Sequence, residues 1–536
     1  LLYHYGAELA RQLKALGMHI NFAPVIDVNN NPDNPVINDR SFGEDVANVT
    51  RKGAMVAKGM RDYGVLPVAK HFPGHGDTDT DSHKDLPIIP HGMERLRRVE
   101  LAPFRHMVQQ GLAAMMVAHV YLPEIDEQER PTTLSPAVVN GLLRKEMGFD
   151  GLVFTDALNM GAITKRYKPG QVEVKALQAG CDVLLFPEDV PAALQAILQA
   201  VENGTLTEKR IDESVLRILQ AKEELGLHKS TARPRAQQVL QRLHTPASRA
   251  LRRTLYRHAM TLARNRERAI PLRKLGTTKR AVVQLGGPRH SPFLQRLCKL
   301  GPFATFYRSK EAPIGEMNAL ADSLQAYDEV IVALQGLSRY PHKDFGFTES
   351  SRHLLGLLDV KAIPSTVVLF GNPYALKHMG QQRAVLVAYD ESELAQSAAA
   401  EALVGRIPAR GKLPVHFDAR FKETALADTL AAPRLGFSTP AEAGLHRPTL
   451  QRLDSMAADW IARELTPGFC VVALRGHDVV FAKGYGHHTY DTTSHPADPA
   501  HSVYDAASLT KAFATNLAIM KLVEDERLDV DAPLRT

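Results

Sequence analysis

The segment 70–87, KHFPGHGDTDTDSHKDLP, is the richest part of the sequence in side chains that could do chemistry. It follows the apolar run 64–69 directly. An apolar run that ends in such a cluster predicts a buried strand that delivers functional groups to a loop at its carboxyl end. The imidazole and carboxylate groups of the segment belong to His71, His75, His83, Asp77, Asp79, Asp81 and Asp85.

Metal binding is one chemistry that this segment suggests. Asp77, Asp79 and Asp81 alternate as in an EF-hand loop, which needs Gly at its sixth position and Glu at its twelfth. Those positions hold Ser82 and Ile88, so a calcium site is not expected. The three histidines, helped by a carboxylate, could instead bind zinc, and a metal-dependent hydrolase that uses His71, His75 and His83 stays open as an alternative.

Acid–base catalysis is the other chemistry. Asp81 stands two residues before His83, and a carboxylate there can fix the tautomer of the imidazole and raise its basicity. Such a dyad needs a nucleophile as its partner. Asp156 follows the apolar segment 151–155 and is the candidate, because a carboxylate at a strand end could attack the anomeric carbon of a sugar.

The elements that must position these groups alternate between strands and longer helices over residues 1–228. This alternation predicts a parallel sheet with right-handed crossovers, in a barrel or a doubly wound fold. Polar residues follow the strands, as they do at the catalytic face of a (β/α)8 barrel. A complete barrel needs eight strands, so we expect this one to lack its first strands. Five strands are predicted, over 19–28, 65–71, 113–120, 151–155 and 182–186.

Three further regions are predicted downstream. Residues 229–265 form a polar linker with a helix, and 266–432 an α/β sandwich with strands at 280–285, 329–333, 366–370 and 384–388. Residues 436–536 contain a helix at 450–464 and antiparallel strands at 468–475 and 478–485, joined by a turn at Gly476 and His477. They predict the start of an α+β domain.

Composition limits the class of protein. With 536 residues, 44% of them hydrophobic and 23% charged, the chain is typical of a globular protein with two to four domains. The net charge of +6 is modest, so nucleic acid is not an expected partner. Three widely spaced cysteines argue against a disulfide framework. No apolar run reaches the roughly 20 residues that span a bilayer.

Six motifs in order resemble glycoside hydrolase family 3, and within it the β-N-acetylglucosaminidases that trim cell-wall fragments. They are NFAPVIDVNNNP (21–32), NDRSFGED (38–45), KHFPGHGDTDTDSH (70–83), AHVYLPEID (118–126), TTLSP (132–136) and GLVFTDALNMGAI (151–163). The resemblance implies a retaining hydrolase of N-acetylglucosaminides, without a cofactor, in a TIM barrel followed by an α/β sandwich. A cell-wall substrate makes a periplasmic or lipoprotein location the expected one.

The resemblance also implies roles for single residues. Asp156 is the implied nucleophile, and His83 the acid/base, assisted by Asp81. Asp27 is expected to support the barrel interior. Three side chains are implied to hold the hydroxyl and acetamido groups of the sugar: Arg40, Lys70 and His71.

The two downstream regions carry resemblances of their own. The segments 266–275 and 409–417 resemble the borders of the α/β sandwich in this family, which implies no catalytic residue there. The segment 502–511, SVYDAASLTK, resembles the serine β-lactamase and penicillin-binding-protein-like hydrolases. It implies Ser508 as a nucleophile and Lys511, one helical turn later, as the group that accepts its proton. A non-catalytic glycan-binding protein stays open as a second alternative.

Overall fold

The protein divides into two units, Leu1–Arg434 and Leu435–Thr536. Their computed structural model describes residues 1–229, 236–416, 418–421, 436–440, 443, 445, 447–475, 478–525 and 527–532. The first unit contains two sheets of parallel strands with helices between them, which confirms the predicted α/β class. The second is a smaller α+β unit.

The first sheet of the first unit is parallel throughout, with its strands in sequence order. Its strands are β1 (Ile20–Asn21), β2 (Leu66–Phe72), β3 (Ala114–Val117) and β4 (Leu152–Thr155). Both β3 and β4 are buried along their whole length, as expected for strands covered on both faces. The carboxyl ends of β2 and β4 therefore lie at the same edge of the sheet and lead to the 70–87 segment and to Asp156.

Two of the predicted strands are shorter than expected. The predicted strand 19–28 pairs only at β1 and at a bridge between Val25 and Lys70, because Pro24 has no N–H to give to the ladder. The predicted strand 182–186 is reduced to a bridge between Val183 and Phe154. There the side chain of Asp182 accepts the Val153 N–H at 2.9 Å and so takes the place of a backbone carbonyl.

Helices flank this sheet, and small residues let them pack closely. A Cβ atom at Gly59 would lie 2.1 Å from the carbonyl oxygen of Tyr3, so only glycine allows the first two helices to touch there. The stretch 92–110 forms two helices, and Pro103 lies in the first turn of the second one. The helices are Leu2–Ala15, Val46–Asp62, Met93–Arg98, Ala102–Gln109, Ala137–Glu146, Gly161–Thr164, Gln171–Ala179, Val190–Glu202 and Glu208–Glu224.

The second sheet of the first unit has six strands in the order β5-β10-β9-β8-β6-β7. Only β5 is antiparallel to its neighbour. The strands are β5 (Thr261–Asn265), β6 (Arg280–Leu285), β7 (Ala304–Arg308), β8 (Glu329–Leu334), β9 (Ser365–Leu369) and β10 (Ala384–Val387). The two edge strands, β5 and β7, were not predicted, and β5 falls within the stretch 229–265 that was predicted as a linker with a helix.

Helices cover both faces of this sheet: Ile314–Leu324 and Glu349–Val360 pack on one face, and Pro246–Ala259, Pro292–Cys298 and Glu393–Leu403 on the other. The helix Ala236–Leu243 instead contacts the helix Leu2–Ala15. The predicted boundaries at 228, 265 and 432 stay predictions. Part of the predicted linker, 230–235, and the end of the predicted sandwich, 422–432, lie outside the described residues.

The second unit has three strands, β11 (Gly436–Phe437), β12 (Gly468–Arg475) and β13 (Asp478–Gly486), in the order β11-β13-β12. As predicted, β12 and β13 are antiparallel; the predicted turn at Gly476 and His477 lies outside the described residues. Helices Arg447–Ala462, Lys511–Thr515 and Asn516–Glu524 complete the unit. In the part of the chain that the structure describes, no helix combines the length and the apolar character needed to cross a membrane.

Candidate active site

Asp27 organises the start of the 70–87 segment. Its fully buried carboxylate accepts the backbone N–H groups of His75 at 2.8 Å and His71 at 3.2 Å, and lies 2.7 Å from His71 Nδ1. Burial favours the protonated form, but the close His71 ring and these N–H donors hold the pKa of Asp27 below its ordinary value. Asp27 thus supports the interior, as predicted from the sequence, and fixes the backbone of the loop from below.

His71 and Arg40 meet above Asp27. The Nε2 atom of His71 lies 3.4 Å from Nη2 of Arg40, and a guanidinium can only donate. Nε2 is therefore the acceptor in this pair, and Nδ1 carries the proton that is donated to Asp27. Arg40 is held in turn by the carbonyl oxygen of Val36, at 3.1 Å from Nη1. These contacts place two of the predicted sugar-binding residues side by side.

Lys70 lies at the end of β2, and its side chain is largely withdrawn from water. Burial and the charge of Arg40 lower the pKa of Lys70, against the opposing charges of Asp156 and Asp27. Lys70, Arg40 and Asp156 therefore influence one another electrostatically, and they form one charged cluster at the carboxyl edge of the first sheet.

Asp156 follows β4 and is held by backbone groups. Its N–H donates to the carbonyl oxygen of Val117 at 2.9 Å, and its Oδ1 accepts the N–H of Ala157 at 2.8 Å. In the described part of the chain its Oδ2 has no hydrogen-bond partner. Burial would raise the pKa of Asp156, but the neighbouring His71 and His119, the Ala157 N–H and the charge of Lys70 hold it below the ordinary value. The group is an ionised carboxylate with one oxygen to spare, as a nucleophile needs to be.

His119 holds the segment after Asp156. It is completely buried, with Nε2 at 3.0 Å from the carbonyl oxygen of Ala157 and Nδ1 at 2.7 Å from the hydroxyl of Thr133. Burial lowers the pKa of His119, so the ring is neutral and Nε2–H is the donor to Ala157. His119 lies in the motif 118–126, and its contacts make it a positioning group.

Asp81 and His83 form a contact on the loop. His83 Nδ1 lies 2.8 Å from Asp81 Oδ1, which also accepts the His83 backbone N–H at 3.0 Å. Asp81 is partly buried, which favours protonation, but these two donors hold its pKa below the ordinary value. The His83 side chain is 64% exposed, so its Nε2 faces outward. Backbone N–H groups of Gly161 and Ala162 hold the loop by donating to its carbonyl oxygens.

A cavity of about 260 Å³ connects the loop with Arg40. Arg40, Asp81 and His83 line it, together with Arg339 and Tyr340 from the segment after β8. Arg339 is paired with Asp39 at 2.6 Å. Sequence analysis missed both residues because they come from the second sheet, some 300 positions away. One feature of the sequence could have pointed to Arg339 and Tyr340: they follow a strand of a parallel sheet, and ligands commonly bind at that end of such strands.

The three histidines of the 70–87 segment point to separate partners. His71 contacts Asp27, His83 contacts Asp81, and His75 is enclosed by Thr78 at 2.7 Å and Ser82 at 3.1 Å. Burial, with a smaller effect of the neighbouring His71, lowers the pKa of His75 to about 4. Within the described residues these three do not converge as metal ligands. The geometry does not support the alternative of a metal-dependent hydrolase built on them.

Ser508 and Lys511 lie in the second unit. Lys511 Nζ is 3.0 Å from Ser508 Oγ, across the first turn of a helical segment. The sequence spacing of three residues predicts this contact, because side chains one helical turn apart share a face. An amine at hydrogen-bond distance from a hydroxyl is the arrangement that a serine nucleophile requires.

Comparison with known proteins yields two family matches. Residues 1–221 match the glycosyl hydrolase family 3 N terminal domain, and residues 454–536 match the beta-lactamase family.

Curated relatives align mainly with the first part of the chain. Beta-hexosaminidase A of Pseudoalteromonas piscicida is 35% identical over 41% of this chain and 40% of that protein. Beta-hexosaminidase LpqI of Mycobacterium tuberculosis is 43% identical over 39% of this chain and 56% of that protein. The chain thus spans about half the length of these curated relatives.

A solved structure extends the similarity further along the chain. It is a glycoside hydrolase family 3 beta-N-acetylglucosaminidase from Paenibacillus sp. str. FPU-7, with 32% sequence identity and a TM-score of 0.64. The match covers 77% of this chain and 79% of that one. It therefore includes both sheets of the first unit rather than the barrel part alone.

Proposed function

The chain belongs to glycoside hydrolase family 3, and we propose that its first unit is a retaining β-N-acetylglucosaminidase. The substrate would be a glycan with a terminal N-acetylglucosamine, of the kind found in cell-wall fragments. The names of the relatives, beta-hexosaminidase and beta-N-acetylglucosaminidase, support this substrate class. The observation that carries the proposal is the position of Arg40, which contacts His71 and lines one cavity with Asp81 and His83.

In the first step, a carboxylate oxygen of Asp156 attacks the anomeric carbon. The glycosidic C–O bond breaks as His83 gives a proton to the leaving oxygen, and an ester between sugar and Asp156 forms. The lowered pKa of Asp156 keeps this carboxylate ionised at neutral pH, and its burial removes the water that would otherwise weaken it as a nucleophile.

In the second step, water attacks the anomeric carbon and His83 takes its proton. The ester bond breaks, Asp156 returns to the carboxylate, and the configuration of the sugar is retained. Asp81 accepts the Nδ1–H of His83, so Nε2 is the atom that gives and takes the proton. Because the imidazole stands on a loop, the distance between the two catalytic groups is set by the position of that loop.

Three cationic or polar side chains would hold the sugar. Arg40 presents donors next to the acceptor Nε2 of His71, and Lys70 adds a cation within the electrostatic influence of Asp156. Desolvated donors of this kind bind hydroxyl and amide oxygens more strongly than exposed ones. Arg339 and Tyr340 line the cavity on the His83 side, where the leaving group would lie.

Hydrolysis of an aryl N-acetylglucosaminide by the full chain tests the proposal. We expect Asp156→Ala to remove turnover, and His83→Ala to slow it by about 10²- to 10⁴-fold with a poor leaving group. The His83→Ala loss should shrink with a dinitrophenyl leaving group, which needs no acid. Asp79→Ala, on the same loop, is the matched control. Normal turnover by Asp156→Ala, or binding of the sugar without turnover by the parent chain, would overturn the proposal.

We propose a serine hydrolase activity for the second unit, on the strength of the contact between Ser508 and Lys511. Lys511, when deprotonated, would accept the hydroxyl proton as Ser508 attacks a carbonyl carbon. The test is hydrolysis of a nitrophenyl ester by the full chain. Ser508→Ala should remove this activity, whereas Ser455→Ala, an exposed serine on the helix Arg447–Ala462, should keep it. Equal ester hydrolysis by both variants would refute the assignment.

A further inference from the structure

A second cluster of polar groups lies beside the 70–87 segment, apart from the residues assigned to catalysis. It consists of Asp77, His91, Arg95 and Glu100, and we call it the Asp77 cluster. Sequence analysis gave Asp77 no role beyond its failed EF-hand pattern. In the structure its Oδ2 lies 2.5 Å from His91 Nε2 and 3.1 Å from Arg95 Nη2. Arg95 Nη2 is also 3.1 Å from Glu100 Oε1.

Asp77, His91 and Glu100 each direct one possible metal ligand to the same place. These ligand atoms lie within 4.8 Å of one another, and within the described ranges no other three His, Cys, Asp or Glu side chains do so. Two carboxylates and an imidazole are a ligand set that zinc accepts. Asp77 and His91 are 21% and 25% exposed, so an ion can reach them from solvent.

Glu100 gives independent evidence that the cluster is incomplete. Its side chain is only 3% exposed, and its Oε2 has no hydrogen-bond partner in the described structure. A buried carboxylate oxygen without a partner is energetically unfavourable, because it has lost its water without gaining a donor. The side chain packs against the loop, because a Cβ atom at Gly74 would lie 2.9 Å from Cβ of Glu100.

Arg95 supplies the cation of the cluster in the structure, but its geometry is poor for this purpose. Its Nη2 has two hydrogens and faces three oxygens, those of Asp77, Glu100 and, with the Asn30 amide turned to suit its neighbours, Asn30 at 2.5 Å. Its Nε is buried and has no partner in the described structure. A single metal ion can be coordinated by all these oxygens at the same time. The Arg95 side chain is 32% exposed and can leave toward solvent.

We propose that Asp77, His91 and Glu100 bind a zinc ion, which replaces the guanidinium of Arg95. The bound ion ties Asp77, four residues before Asp81, to the segment 91–100. Zinc would thereby anchor the base of the loop that carries His83. The site does not include any residue assigned to sugar binding or catalysis, so the proposal stands independently of the proposed glycosidase activity.

Zinc binding to the metal-free full chain, measured by competition with a chromophoric chelator, tests the site. We expect His91→Ala and Glu100→Gln to weaken zinc binding by at least about tenfold. Glu94→Gln, on the neighbouring helix Met93–Arg98, should bind zinc as the parent chain does. Arg95→Ala should bind zinc about tenfold more tightly, because it removes the competing cation.

The thermal unfolding midpoint provides a second readout that does not depend on activity. Zinc should raise the midpoint of the parent chain and of Arg95→Ala, and should leave that of His91→Ala unchanged. If zinc binds His91→Ala as tightly as the parent chain, or if Arg95→Ala loses zinc binding while it remains folded, the metal site is refuted and Arg95 is the permanent cation of the cluster.

Discussion

Replacement of Asp27 by asparagine probes how the interior supports the site. The substitution keeps the size of the side chain but turns one acceptor oxygen into an NH₂ donor. Oδ1 can still accept the backbone N–H of His75, while the Nδ1–H of His71 loses its acceptor. A buried donor without a partner costs about 1–3 kcal/mol, and we expect the free energy of unfolding to fall by that amount. This corresponds to a factor of about 5 to 150 in the folding equilibrium.

The ring of His71 could avoid this loss by changing its tautomer, but Arg40 opposes the change. With the proton on Nε2, the ring would face the guanidinium of Arg40 donor to donor at 3.4 Å. We therefore expect Asp27→Asn to raise KM for the N-acetylglucosaminide as well as to lower stability. Urea unfolding at pH 7 and steady-state kinetics measure the two effects. Asp33→Asn, an exposed position on the same stretch, is the control. A variant that matches the parent chain in both stability and KM would refute the assigned role of Asp27.

Three further outcomes are expected. Asp81→Asn should lower kcat by about 10- to 100-fold with little change in stability, because the contact between Asp81 and His83 is at the surface. A large fall in the free energy of unfolding with unchanged kcat would contradict this. Gly59→Val should destabilise the first unit by about 3 kcal/mol or more, since a Cβ atom there overlaps the backbone of Tyr3, and unchanged urea unfolding would contradict it. The pKa values of the buried Asp27 and the partly buried Asp156 are lowered, so their contribution to stability is present above the ordinary pKa of about 4. It should be lost as the pH falls below that value, by about 1.4 kcal/mol per pH unit for each group, as acid-unfolding curves can show.

Local patterns were sufficient to predict much of the fold. Strand β6 was predicted with the bounds that it has, Arg280–Leu285, because its apolar residues, 281–283 and Leu285, lie between a polar segment and a Gly-Gly turn. The edge strands β5 and β7 gave no such signal. β7 is only half-buried, and β5 belongs to the sheet through its pairing with β10, more than 100 positions away. Pairing of this kind is a property of the folded chain and leaves little trace in a short window.

The candidate site likewise contains contacts that the sequence predicts and a contact that it does not. The contact between Asp81 and His83 and that between Ser508 and Lys511 follow from spacings of two and three residues, which place the side chains together locally. Arg339 could not be assigned to the cavity from its neighbours, because only the packing of the two sheets within the first unit brings it to Asp39.

A mechanism-based label identifies the nucleophile most directly. A 5-fluoro N-acetylglucosaminyl fluoride keeps the 2-acetamido group, has a good leaving group, and slows the second step enough for the glycosyl ester to accumulate on a retaining enzyme. Mass spectrometry of peptides from the inactivated full chain should find the sugar on the peptide that contains Asp156, and Asp156→Ala should remain unlabelled. A label on another carboxylate would contradict the assignment of Asp156 as the nucleophile of a retaining glycosidase. Turnover that releases a sugar of inverted configuration, without inactivating the enzyme, would contradict it as well.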